Sequence, residues 1–317
     1  MRVLVTGIAG FAGSYLAEYI LNEKKAELFG IDLPGCGWKG SGDFKNRVKL
    51  YACDICNFNS VHRVIRAVKP DLIFHLAAQA FIPDSWLNPR KSLNTNIIGE
   101  LTLLEAVRKL RLDTKIHLAC SAEEYGLVYP DEVPVKETNP FRPLSPYAVG
   151  KLTQDMLGYQ YYRSYGMFIV RTRAFNHIGP RMNERFVASN FARQIALIEK
   201  RKQRPIICVG NLEPVRDFTD VRDVAQAYWL SLERGKPGEA YNICSDKGNK
   251  IKKILEILLG FTSNKIKIKQ GRSRFRPSDI MVLVGDSSRF RRQTGWRPKI
   301  PLENSLLDIL NYWRENT

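Results

Sequence analysis

Nowhere in this 317-residue chain is there an apolar run approaching the roughly 18–20 uncharged residues that a membrane-spanning helix requires. The longest, Asp71 to Ala80 and Lys115 to Ser121, fall far short, which excludes a helical membrane protein. Histidine is scarce, with four scattered copies. The six cysteines are too few for a disulfide framework in a chain of this length. The one CxxC, Cys53 to Cys56, has neither a second CxxC nor a nearby histidine pair to complete a zinc site, so reduced, buried thiols and no metal are expected. No cleavable leader precedes the strand-like opening Met1-Arg2-Val3-Leu4-Val5-Thr6-Gly7, so the expected location is the cytoplasm. Internal repeats, low-complexity tracts and Ser/Gly linkers are also missing, so any second domain must share the core of the first.

What is present is globular: 44% hydrophobic and 26% charged residues, in a length that suits one large α/β domain or two modest ones. Basic residues number 49 against 32 acidic, a formal net charge of +17, and Lys250 to Lys299 alone holds 14 basic residues against three acids. Such a surplus can meet nucleic acid, an acidic membrane surface or a phosphorylated small molecule. No RNA-binding signature accompanies it, so a solvated face accounts for most of these charges, and neither nucleic acid nor membrane is expected as a partner.

The first half alternates. Apolar runs at Arg2–Thr6, Glu27–Ile31, Val48–Ala52, Asp71–Ala77, Lys115–Cys120 and Phe168–Thr172 read as buried strands, with helix-period segments near 13–23, 59–68, 92–110 and 146–165 between them. That order predicts an α/β fold, a Rossmann-type doubly wound parallel sheet over residues 1–172. After Asn176 the regularity breaks up. Helices near 186–201, 221–232, 250–259 and 302–314, with short strands at Ile206–Val209 and Ala240–Ile243, predict a smaller mixed α/β substrate domain over 173–317, parts of 205–245 returning to the first domain.

The opening strand ends in Gly7-Ile8-Ala9-Gly10-Phe11-Ala12-Gly13. Glycines here let the backbone turn tightly and bring amides and a helix N-terminus against a pyrophosphate. About 20 residues on, Asp32 closes the second strand. A carboxylate there accepts hydrogen bonds from the adenosine ribose hydroxyls and repels a 2′-phosphate, which favours NAD(H) and leaves NADP(H) open. Asp54, in Cys53-Asp54-Ile55, is placed either to meet the adenine edge or to cap the helix after Asn57.

The fifth strand leads into Ser121-Ala122-Glu123-Glu124-Tyr125-Gly126, and Pro146-Tyr147-Ala148-Val149-Gly150-Lys151 follows. A spacing of four puts the Tyr147 phenol and the Lys151 ammonium on one helix face, where the cation is expected to lower the phenol pKa toward working pH. Ser121 can hydrogen-bond the same reacting oxygen from the strand end.

Glycine loop, acid, serine strand and YxxxK, in that order, resemble the extended short-chain dehydrogenase/reductases that work on nucleotide sugars. The resemblance covers essentially the whole chain: GxxGxxG at 7–13, His75-Leu76-Ala77-Ala78, Ser121 four residues before Tyr125, and Tyr147 with Lys151. Phe175-Asn176-His177-Ile178-Gly179-Pro180, the run from Val209 to Asp223, and Arg276-Pro277-Ser278-Asp279 are similar to the GDP-mannose branch. That branch holds both a 4,6-dehydratase of GDP-mannose and a reductase of GDP-4-keto-6-deoxy-D-mannose. The resemblance implies that Gly7, Gly10, Phe11, Ala12, Gly13, Asp32, Asp54, Ile55, Leu76, Ala77, Ala78, Tyr147 and Lys151 hold the dinucleotide. It also implies that Arg216 and Arg276 clamp the diphosphate or riboses of a GDP-sugar, that Asp279 holds a ribose hydroxyl, and that Asn176 touches the sugar or its first phosphate. Guanidinium forks suit phosphate oxygens, although Arg216 and Arg276 could instead pair with Asp217 or Asp279. Relatives dimerise through a four-helix bundle, here from helices near 92–110 and 146–163, so a homodimer is expected.

Both reactions of the branch begin with the same apparatus. In a dehydratase, tyrosinate takes the 4-hydroxyl proton, and a carboxylate in the place of Glu123 removes the C5 proton before water departs from C6. In a reductase, Tyr147 donates its proton to the 4-keto oxygen and Glu123 needs no role. Three features point to a reductase: serine rather than threonine at 121, Ile178-Gly179-Pro180 and Arg185-Phe186-Val187-Ala188-Ser189-Asn190 in place of an Arg-Arg-Gly-Glu segment, and no arginine pair between Asp32 and Lys45. Asp32 points the other way, to a held and regenerated NAD as in a dehydratase or epimerase. A non-catalytic nucleotide- or RNA-binding protein is the remote third reading, set aside because Ser121, Tyr147 and Lys151 are intact.

Overall fold

The computed structural model describes residues 1–37, 46–271 and 280–317. Along the chain run β1 (Arg2–Thr6), α1 (Phe11–Glu23), β2 (Glu27–Asp32), β3 (Val48–Ala52), α2 (Phe58–Val68) and β4 (Leu72–His75). Then come α3 (Ile82–Leu87), α4 (Pro89–Leu93), a π-helical turn (Asn94–Ile98), α5 (Gly99–Lys109), β5 (Lys115–Ser121), α6 (Pro146–Tyr165) and β6 (Ile169–Ala174). The rest is β7 (Asn176–Ile178), α7 (Val187–Glu199), β8 (Ile206–Val209), β9 (Val215–Asp220), α8 (Val221–Arg234), β10 (Ala240–Ile243), β11 (Gly248–Lys250), α9 (Ile251–Gly260), β12 (Lys267–Gln270), β13 (Val282–Leu283), α10 (Ser288–Thr294) and α11 (Leu302–Asn316).

Seven strands form one parallel sheet in the order β10-β6-β5-β4-β1-β2-β3. Their apolar runs are continuous because both faces are covered. On one face Val3, Val5 and Phe74 pack under Leu16 of α1 and Val224, Tyr228 and Trp229 of α8. On the other, Leu4, Ile73, Ile116 and Leu118 pack under Val61 and Ile65 of α2, Leu103 and Leu104 of α5, and Tyr161 of α6. A separate apolar cluster joins α7, α9 and α11 through Ile195, Ile254 and Leu306. Near it β9 pairs with β7, β11 and β13, and β8 pairs with β12. Arg181 to Glu18 and Arg185 to Asp84 tie this second half to the first.

Local chemistry sets the element ends. Asn57 accepts from the Ser60 amide at 3.0 Å to cap α2, and Ser145 accepts from the Ala148 amide at 3.1 Å, with Pro146 opening α6. Gly166, at φ +66, closes α6 in the left-handed conformation. The expected helix over 92–110 is present, helical without a gap from Pro89 to Lys109, but with a π-turn at Asn94–Ile98. Asn88 caps a fresh start at Pro89, and the π-turn then buries Asn96, whose carboxamide accepts from the Gln79 amide at 2.8 Å and donates to the Gln79 carbonyl at 3.3 Å. The helix gives up its regular register to satisfy that buried pair. Among the described residues no helix is long and apolar enough to cross a membrane.

Candidate functional site

The site lies at the carboxyl ends of β1, β4 and β5, where open α/β sheets place ligands. Gly7 turns the chain at φ +69, and a Cβ on it would stand 2.8 Å from the Ala77 nitrogen. A Cβ on Gly13 would stand 2.2 Å from the Gly7 carbonyl oxygen, so the first turn of α1 sits tight on the loop. Gly10 is the N-cap of α1 and no side chain caps it, which leaves the amide end of Phe11, Ala12 and Gly13 turned outward for an anion. Leu76 and Ala77 are fastened to β1, donating to the Thr6 carbonyl and to Thr6 Oγ1, each at 3.2 Å, and half-buried Ala78 follows.

The half-buried Asp32 carboxylate is fixed beside this loop, accepting from the amides of Ala9 and Leu33, both at 2.9 Å. Asp54 accepts from the Cys56 amide at 2.9 Å, and Asn57, not Asp54, caps α2, which removes the capping role read for Asp54 from the sequence. Buried Ile55 packs so closely on Gly99 that a Cβ there would meet its Cγ2 at 2.7 Å. Glycine cradle, open helix end and fixed carboxylate together fit a dinucleotide.

Ser121 ends β5, and its Oγ accepts from the Glu123 amide at 3.2 Å and is hydrogen-bonded to the Tyr147 phenol. Tyr147 and Lys151 share one face of α6, both nearly fully buried. The depressed phenol pKa expected from their spacing is not found. Burial raises it well above its ordinary value; the Ser121 bond opposes this, and the charges of Glu123 and Glu124 add to the rise. The Lys151 ammonium donates instead to the Ala119 carbonyl at 2.8 Å, and burial holds its own pKa down. The surroundings present in the structure therefore make the phenol a weaker acid than its spacing from Lys151 suggested.

Asn176, half-buried, opens β7 beside His177, whose ring stacks on Phe11 with centroids 5.9 Å apart. Arg216 lies in β9, 6% exposed, with Nη1 donating to the Val215 carbonyl at 3.0 Å. Its neighbour Asp217 accepts from the Ser245 amide and hydroxyl, at 2.8 and 2.6 Å, and from the Gly285 amide at 3.4 Å. Arg276 and Asp279, and part of the stretch between Asp32 and Lys45, lie outside the described residues.

Behind Tyr147 lies a buried ionic network that the motif reading missed. Asp155 binds Arg171 and, at 2.9 Å, Arg173. Arg173 also donates to the Tyr125 hydroxyl at 3.0 Å, which donates to Asn242 at 2.7 Å. Glu124 accepts from the Ser121 amide at 2.7 Å and stands 3.7 Å from Arg173. The ligand-type atoms of Cys120, Glu124 and Asp155 fall within 4.8 Å of one another, but two guanidiniums already neutralise Asp155, which makes the cluster an ion-pair network. One signal was available: two arginines at alternate positions of the strand Ile169–Ala174, whose other residues are uncharged, must find partners.

The fold and this site define the class of extended short-chain dehydrogenase/reductases, Rossmann-type enzymes of nucleotide-sugar metabolism. A family model described as GDP-mannose 4,6 dehydratase matches residues 4–309, and the chain belongs to that family. It is similar to GDP-6-deoxy-D-mannose reductase of Pseudomonas aeruginosa, 31% identical over 98% of this chain and 97% of the relative. It is also similar to GDP-mannose 4,6-dehydratase of Vibrio cholerae, 30% identical over 97% of this chain and 92% of the relative. The solved structure of RMD from Pseudomonas aeruginosa complexed with NADPH superposes with a TM-score of 0.87 at 30% identity, covering 100% of this chain and 99% of that one.

Proposed function

We propose that this protein reduces the 4-keto group of GDP-4-keto-6-deoxy-D-mannose, giving a GDP-D-rhamnose-type product. The observation that carries the reading is the placement of Tyr147: a buried phenol hydrogen-bonded to Ser121 at the end of β5, on the same face of α6 as Lys151. The bound nicotinamide supplies the hydride. Tyr147 donates its proton to the carbonyl oxygen, Ser121 holds that oxygen from the strand end, and Lys151 supplies positive charge as tyrosinate forms. Asn176, Arg216, Arg276 and Asp279 are assigned to the GDP-sugar, held by residues 173–317, while residues 1–172 with β10 hold the dinucleotide. Asp32 favours NAD(H), since its fixed carboxylate would repel a 2′-phosphate.

A dehydratase acting on GDP-mannose is the second reading, favoured by Glu123, whose charge acts on the Tyr147 phenol from the place a C5 base would occupy. Supplying GDP-4-keto-6-deoxymannose with NADH or NADPH, and separately GDP-mannose, separates the two. Stoichiometric loss of reduced cofactor with the keto sugar is expected; turnover of GDP-mannose without net cofactor change would instead establish the dehydratase.

A homodimer is inferred from α6 and the π-turn before α5. Val149, Met156 and Tyr159 are each more than 40% exposed along one side of α6, and Ile98 adds 39% beside them, an apolar stripe of the kind helices bury against a second copy. The six free thiols suit the reducing cytoplasm.

A further inference from the structure

We propose that Glu124 is a positioning residue: by holding the Ser121 amide it sets where Ser121 stands against Tyr147. This rests on the role given to Ser121 above.

The need for such a residue comes from the sheet. The Lys115 amide of β5 donates to the carbonyl of Asp71, which leads into β4, and the Ile116 amide donates to the carbonyl of Phe168, which leads into β6. Odd positions of β5 therefore face β4, and even positions face β6. β4 ends at His75, paired with Leu118, so β5 runs three residues past its neighbour. On that vacated side two side chains stand in for the missing strand. The Ala119 carbonyl takes the Lys151 ammonium at 2.8 Å, and the Ser121 amide donates to Glu124 Oε1 at 2.7 Å.

Glu124 reaches back from a single 3₁₀ turn, Ala122–Glu124, while Ser121 Oγ accepts from the Glu123 amide at 3.2 Å, so main chain and side chain of Ser121 are both held. A carboxyl on the surface would cap this turn as well, yet Glu124 has no exposed surface, and burying it is costly without a charged partner. That partner is Arg173 of β6, whose Nε stands 3.7 Å from the second Glu124 oxygen. Arg173 is fixed in turn by Asp155 at 2.9 Å, and it donates to the Tyr125 hydroxyl at 3.0 Å and to the Glu137 carbonyl at 2.9 Å. Asp155 lies on α6, four residues beyond Lys151 and eight beyond Tyr147. The contacts Ser121–Glu124–Arg173–Asp155 thus brace the end of β5 against the helix that carries the phenol and the ammonium. Without the Glu124 carboxyl the Ser121 amide loses its acceptor in a buried place and the strand end is free to shift. A misplacement of about 1 Å in such a constellation can cost up to about 10²-fold in rate.

The test compares wild type, Ser121→Ala, Glu124→Leu and the double variant, with reduced cofactor and GDP-4-keto-6-deoxymannose. Glu124→Leu should lower kcat about tenfold at unchanged KM. In the Ser121→Ala background it should lower kcat no further, because a residue that acts through Ser121 then has nothing left to place. Losses that multiply in the double variant would overturn the proposal, since they would make Glu124 a general support of the fold. Amide hydrogen exchange followed by NMR supplies a second readout: the Ser121 amide should exchange at least about tenfold faster in Glu124→Leu, and an unchanged rate overturns the proposal. Should Glu124→Leu fail to fold, Glu124→Asp carries the test. Its carboxyl stays on the Arg173 side but is one methylene short of the Ser121 amide, so the same losses are expected, and wild-type kcat with wild-type exchange overturns the proposal. Absence of turnover by wild type on either GDP-sugar, or a Ser121→Ala variant as active as wild type, would sink the functional reading instead, and the exchange rates then decide the hold of Glu124 on Ser121 by themselves.

Discussion

The division of labour between Tyr147 and Lys151 is set by burial more than by their spacing. One turn apart on α6, they look from the sequence like a phenol acidified by an ammonium, yet the phenol bonds Ser121 and the ammonium bonds the Ala119 carbonyl. Tyr147→Phe should lower kcat by about 10²–10⁴-fold, the span of a positioned proton donor, with dinucleotide affinity unchanged by fluorescence titration. Retained activity would remove Tyr147 as the acid. Asp217 gives a pH prediction. Burial pushes its carboxyl from 3.8 up to about 6. A folded pKa above the unfolded one means the acid contributes fully at low pH and loses that contribution as pH rises from about 4 to about 6, by up to about 3 kcal/mol. The difference in Tm between wild type and Asp217→Asn should therefore shift in favour of the variant across that window, and a difference constant with pH would refute it. The glycine loop and Asp32 were legible in the sequence because their demands are local: backbone space, a strand end, a fixed interval. Asp155 was not, because a carboxylate on a helix carries no local sign of which way it faces.

At the scale of elements, the sequence placed strands and helices best where apolar periodicity was long. It gave all seven strands of the parallel sheet to within a few residues and missed β7, β9, β11, β12 and β13, where pairing, not hydrophobicity, defines the strand. Caps were readable only in part. Asn57→Ala should cost about 1 kcal/mol in chemical denaturation, the usual value of a lost N-cap, whereas Asp54→Ala should leave α2 nearly unchanged in stability because it does not cap that helix. Equal losses from the two would mean the cap has been assigned to the wrong residue. The π-turn within the 92–110 helix goes with a contact 17 residues away, between Asn96 and Gln79, which the helical period along the chain does not show.

For the whole molecule, the exposed stripe of Val149, Met156 and Tyr159 decides the assembly proposed here. Met156→Asp combined with Tyr159→Asp should turn a dimer into a monomer in sedimentation analysis while each subunit stays folded, since charges on such a face cost heavily only when it is covered. A wild-type protein that is already monomeric at micromolar concentration would overturn the dimer.

The α/β class, the glycine cradle, the acid at the end of β2 and the Ser121, Tyr147 and Lys151 set were written in the sequence, because each depends on residues spaced along one strand or one helix turn. Tertiary structure alone decided that burial raises the phenol pKa, that β10 takes the sheet edge beside β6, and that Arg171, Arg173, Glu124 and Asp155 meet in one buried network. Those outcomes depend on solvent exclusion and on contacts between segments distant in sequence, and both exist only once the chain has closed on itself.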